Sequence, residues 1–112
     1  MEKLVSVIRR SKGPVLSDDM LLLANAGKKI EIELFILTQL AINGLWDESD
    51  FVKRLDRGDF ELIVFKRDLL DRKTENFLTT RMVSAIRRRY ELINAPEKFG
   101  GLYRVYTPKK SL

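Results

Sequence analysis

The sequence predicts a small three-layer α/β domain of about five strands and four or five helices, with a mostly parallel centre and a C-terminal antiparallel hairpin. Three observations carry that prediction. Residues 60–65, F-E-L-I-V-F, are apolar at every position but one and stand between Gly58-Asp59 and Lys66-Arg67-Asp68, as a strand covered on both faces does. Just upstream, Asp47 can cap a helix with Phe51, Val52 and Leu55 on one face, closed by Gly58. Near the end, residues 90–93 and 102–106 are β-type runs joined through Asn94-Ala95-Pro96 and Gly100-Gly101, which reads as a hairpin with a long loop.

The other elements follow in chain order. Residues 1–12 place Leu4, Val5 and Ile8 at helical spacing, and Gly13-Pro14 stops that helix. Val15-Leu16 is a short strand leading into Ser17-Asp18-Asp19, three residues able to cap a helix over 20–25 that ends at Gly27. Residues 28–32 alternate charge with Ile30 and Ile32, the pattern of a strand with one wet face. Residues 34–42 return to helical spacing and stop at Asn43-Gly44. Residues 66–76 are highly charged and read as a loop. Thr79 or Thr80 caps a helix running to Arg89, where Arg87, Arg88 and Arg89 suit the negative end of the helix dipole. Right-handed crossovers make the strands near 14–17 and 60–65 parallel neighbours.

At 112 residues the chain is long enough for one domain, 1–112, with its own core. It has no cysteine and no histidine. That removes thiolate metal sites, cysteine nucleophiles and Ser-His-Asp arrangements, leaving carboxylates, lysines, tyrosines and hydroxyls for proton transfer. No glycine-rich phosphate loop, dinucleotide fingerprint or metal-spaced cluster occurs, so no cofactor, no metal and no catalytic residue is assigned. The net charge of +5 is uneven, with 13 basic and 14 acidic side chains in residues 1–80 against 8 and 2 in residues 81–112. A basic patch of Arg87, Arg88, Arg89, Arg104, Lys109 and Lys110 would face phosphate, whether of lipid headgroups or of nucleic acid. Its plainer reading is a solvated helix end and a charged tail. No run approaches the ~20 apolar residues of a membrane span.

Two further positions are candidates for ligand binding. Ser17, Asp18 and Asp19 follow the first strand, where open α/β sheets place ligands, and two carboxylates there suit a sugar hydroxyl or a cation. Consecutive aspartates before an apolar run are also ordinary helix caps. Trp46, the single tryptophan, sits in an interhelix turn, where it would stack on a sugar face, lie at a membrane interface or plug the core.

The order G-P-V-L-S-D-D at 13–19, A-G-K-K at 26–29, Q-L-A-I-N-G-L-W-D at 39–47, R-G-D before the 60–65 strand and the closing Y-E-L-I…G-G-L-Y-R-V-Y resembles the C-terminal extramembrane domain of multi-spanning glycosyltransferases. These are polyprenyl-phosphate-sugar-dependent enzymes related to the protein mannosyltransferases and the aminoarabinose transferases. The resemblance spans residues 13–106. It implies a fragment of a larger membrane enzyme whose transmembrane helices and catalytic acid lie upstream, on the extracytoplasmic side. It also implies a non-catalytic role, assisting acceptor or lipid-linked sugar binding at the membrane surface, as a monomer or weak dimer. Two other readings compete with it. In a winged-helix nucleic-acid module, residues 80–89 would be the recognition helix and the hairpin with Arg104 the wing. In a stand-alone cytoplasmic α/β protein, a small ligand would bind at Ser17-Asp18-Asp19.

Overall fold

The computed structural model describes residues 2–28, 33–66, 78–93 and 103–109. The expected strand at 28–32, the charged loop over 66–76 and the hairpin loop over 94–101 lie largely or wholly outside them. Among the described residues there are five helices and a four-stranded mixed sheet, one strand fewer than the sequence suggests. They run α1 (Glu2–Arg10), β1 (Val15–Ser17), α2 (Met20–Asn25), α3 (Leu34–Ile42), α4 (Ser49–Asp56), β2 (Leu62–Phe65), α5 (Thr80–Arg89), β3 (Tyr90–Leu92) and β4 (Arg104–Pro108).

The sheet order is β1-β2-β4-β3. β1 and β2 are parallel, with Leu16 opposite Ile63, as the crossover rule requires. β4 lies antiparallel to β2 on one side and to β3 on the other. The one parallel pair, β1–β2, therefore lies to one side of the sheet, and the central pair, β2–β4, is antiparallel. β2 is inner, and all four of its residues are buried. It begins two residues later than the apolar run suggests, since the Phe60 N–H donates to the Tyr90 hydroxyl at 3.2 Å instead of to a strand neighbour.

Side chains alternate across a strand, so β2 serves two cores. Leu62 and Val64 meet Leu4 and Ile8 of α1, Leu22 and Leu23 of α2, and Tyr103 and Val105. Ile63 and Phe65 face the other way, towards Leu34 of α3, Phe51 and Leu55 of α4, and Met82 and Ile86 of α5. Thus α1 and α2 cover one face of the sheet and α3, α4 and α5 the other.

Local chemistry sets the helix ends. Asp19 accepts the Leu22 N–H at 3.2 Å and Thr79 accepts that of Met82 at 3.1 Å, each a side-chain cap. Asp47 lies one residue before the α4 cap position, Glu48, and binds the Ser49 N–H at 2.9 Å. Gly58 closes α4 with φ of +71°, a left-handed conformation that favours glycine.

α4 and α5 run side by side in the same direction. Glu48 pairs with Thr79, Arg81 meets Ser49, and Arg88 meets Asp56, so the register holds along both helices. Their dipoles are aligned and repel. Carboxylates of Asp47 and Glu48 stand at the paired N-termini, where negative charge is favourable.

Candidate functional site

The parallel pair β1–β2 points its C-terminal ends to one edge, where the chain turns from β1 into α2 and leaves β2. Ser17, Asp18 and Asp19 meet there. Ser17 is fully buried, and its Oγ accepts the Asp19 N–H at 3.0 Å. Asp18 accepts the Lys66 N–H at 2.8 Å, joining the ends of the two strands. Asp19 engages both oxygens, Oδ1 as the α2 cap and Oδ2 as acceptor of the Tyr103 hydroxyl at 2.7 Å. Burial, and then the Asp19 carboxylate, pushes the Tyr103 hydroxyl up to about 12.

These bonds make the edge a connected network. A sugar hydroxyl or cation reaching Asp19 would share oxygens that already hold the α2 cap and the Tyr103 hydroxyl, since each carboxylate oxygen has a second lone pair to offer. Among the described residues, no group of three or more Asp or Glu is placed to hold a metal ion. Tyr103 is the member of this network that the sequence did not flag. Its position, inside the β-type run 102–106, gave no sign of a partner 84 residues away.

Trp46 belongs elsewhere. It is half-buried, with its ring 6.2 Å from Phe51, which in turn meets Phe60 edge-on at 6.0 Å. Those contacts lie before the start of β2, whereas Asp18 is tied beyond its end, so the two candidate positions do not converge. Trp46 packs against the α3–α5 core as a plug.

The expected basic patch divides. Arg88 forms an ion pair with Asp56 at 2.8 Å. Arg89 donates to the Lys109 carbonyl at 2.5 Å, and Lys109 donates through Nζ to the Arg87 carbonyl at 3.0 Å. These side chains close the C-terminal end of α5, where cations are favourable. Arg104 lies at the opposite end of β4, beside Phe65, ~13 Å away along the strand. It therefore joins the edge that holds Asp18, not the α5 terminus. Lys110 lies outside the described residues.

The described surface also holds two shallow grooves. One, of about 340 Å³, runs along α4 and α5 past Val52, Asp56, Thr80, Arg81, Ser84 and Arg88. Asp56 already answers Arg88 within it. The other, of about 350 Å³, lies between α1 and the sheet, lined by Val7, Arg10, Ser11, Glu61, Leu62 and Thr107. Glu61 is held there by the Gly13 N–H at 2.7 Å.

The remaining surface feature is apolar. From residue 34 to residue 46 the chain has no ionisable side chain, although a third of all its residues are charged. This stretch holds α3 and the turn after it, and includes most of Q-L-A-I-N-G-L-W-D. α3 buries Leu34 and Thr38, the latter against the Met82 sulfur, and exposes Phe35, Ile36 and Ile42. Leu45 follows at the left-handed Gly44 and is 76% exposed. No described helix is long and apolar enough to cross a membrane.

Comparison of the chain with known protein families, with curated proteins and with solved structures returns no match.

Proposed function

We propose that the chain is a non-catalytic extramembrane domain of a membrane glycosyltransferase, supplying a binding surface while the reacting groups lie in another part of the enzyme. The observation that carries this reading is the bracing hydrogen-bond network at the sheet edge. Ser17, Asp18, Asp19 and Tyr103 spend their hydrogen bonds on joining β1, α2, β2 and the start of β4. Such an edge braces the domain and leaves its outer surfaces to make contacts. The resemblance supplies the class of enzyme, its extracytoplasmic placement and the candidate partners: a membrane surface, the transmembrane part of the same enzyme, or a lipid-linked sugar.

The nucleic-acid reading is opposed by the arginines and by the sheet. Arg88 and Arg89 are directed to Asp56 and to the Lys109 carbonyl, while a recognition helix presents such side chains to bases. β4 is an inner strand between β2 and β3, so the hairpin is part of the core sheet and does not stand out as a wing.

The test is a side-by-side titration with vesicles containing phosphatidylglycerol and with duplex DNA, at low and at about physiological ionic strength. Vesicle association that weakens with salt, without preference among DNA sequences, is the expected result. Sub-micromolar DNA binding at physiological salt with one sequence favoured ~10³-fold would overturn the proposal in favour of a sequence reader.

A further inference from the structure

We infer that the charge-free outer face of α3 and the turn at Leu45 form a membrane-contacting surface that seats apolar side chains in the headgroup region of a bilayer. The inference rests on the membrane reading above and names the element that makes the contact, which is distinct from the basic end of α5.

α3 carries no charge and only Thr38 and Gln39 as polar side chains, a composition that normally marks a helix buried on most sides. Here one side only is buried. Leu34 is 1% exposed and Thr38 fully buried, whereas Ile36 is 56% exposed, Ile42 51% and Phe35 49%. Leu45 extends the same stretch beyond the helix on the Gly44 turn. An interfacial helix usually has a charged face towards water and an apolar face towards lipid. In α3 the domain core takes the place of water, so the exposed face needs no charged counterpart on its own helix.

Size and charge select the bilayer over a second copy of the chain. Four partly exposed residues offer much less than the ~800 Å² per partner that a stable protein interface buries. A protein partner also pairs a polar rim with a polar rim, and residues 34–46 offer no charge to pair. Headgroups ask for none at that face, and since the excess of basic side chains lies in residues 81–112 and not around α3, the contact made here is apolar and does not depend on anionic lipid.

The experiment measures binding of the chain and of an Ile36→Ser/Leu45→Ser double variant to vesicles of phosphatidylcholine alone and of phosphatidylcholine with phosphatidylglycerol. Leu92→Ser, at an exposed position on β3, is the control. Both substituted side chains are exposed, so thermal unfolding should be nearly unchanged, and that is checked first. Because Trp46 is the only tryptophan and adjoins Leu45, its fluorescence and its quenching by brominated lipid report contact at this face. The expected result has two parts. A fraction of wild-type binding persists on neutral vesicles and in high salt with Trp46 quenched, and the double variant loses that fraction by about tenfold or more while the control keeps it.

Binding that is wholly abolished by salt and equal in wild type and double variant would overturn the α3 inference while leaving the membrane reading in place. Absence of binding to any vesicle at low salt would remove both. If the double variant instead abolishes concentration-dependent self-association, the face belongs to a second copy and the inference is overturned.

Discussion

Tyr103 donates its hydroxyl to Oδ2 of Asp19 at 2.7 Å, tying the residue before the last strand to the turn after the first across 84 residues of sequence. Asp19 also caps α2, so one carboxylate fixes a helix start and a strand start together. The bond has a pH signature. In the unfolded chain the tyrosine ionises near 10, and in the fold only at about 12. The folded state therefore holds the proton more tightly. Its contribution is fully present below pH 10 and is lost as pH rises towards 12.

Tyr103→Phe should cost about 1–2 kcal/mol at neutral pH through the missing hydrogen bond. It should also remove that alkaline loss, so the stability gap to wild type narrows above pH 10. Denaturant midpoints of both proteins from pH 8 to pH 11.5 test this. Two curves that stay parallel throughout would show that the hydroxyl does not hold its proton in the fold.

Val64 is fully buried on β2, opposite Ser17 on one side and Val105 on the other. Val64→Asp places an unpaired charge in the α1–α2 core and should cost about 4–5 kcal/mol or more, enough to unfold a domain of this size. Arg88→Glu, by contrast, replaces an exposed ion pair with two facing carboxylates and should cost only about 1 kcal/mol. Circular dichroism melts of the two variants should differ accordingly, and a Val64→Asp protein that melts like wild type would mean that β2 is not an inner strand.

Gly58 is constrained twice. Its φ is +71°, and a Cβ there would lie 2.9 Å from Nε of Arg89. Gly58→Ala should destabilise by about 1–2 kcal/mol. The arginine is the far end of a flexible side chain and can swing aside, so the backbone is the larger obstacle. In an Arg89→Ala background the alanine substitution should therefore keep most of its cost. Near-complete relief in that background would instead assign the penalty to the side-chain contact.

What was legible in the sequence was local. The apolar run at 60–65 marks β2 because a strand covered on both faces has no polar alternation to conceal it. Asp19, Thr79 and Gly58 are readable because capping and helix closure depend on residues within one turn. The placement of β4 between β2 and β3 was not readable. That order rests on contacts such as the edge-on meeting of Phe65 and Tyr106 at 6.0 Å, between residues far apart in the chain. The arginines show the same limit, since a basic run gives no indication that Arg88 will find Asp56 or that Arg104 will lie at the other end of its strand. In α3, apolar spacing identified a helix, but a helix with no charge on any side does not disclose which side faces out.

Among the described residues the outermost strands of the sheet, β1 and β3, are three residues long each, and β1 has no room to lengthen. Pro14, which has no N–H to give, stands directly before β1, and the turn capped by Asp19 follows it. β3 begins at the residue where α5 ends. Strand-to-strand recruitment between molecules calls for a longer open ladder, on the order of six residues in stacked cross-β segments. Many copies crowded onto one surface should therefore not zip together along β1.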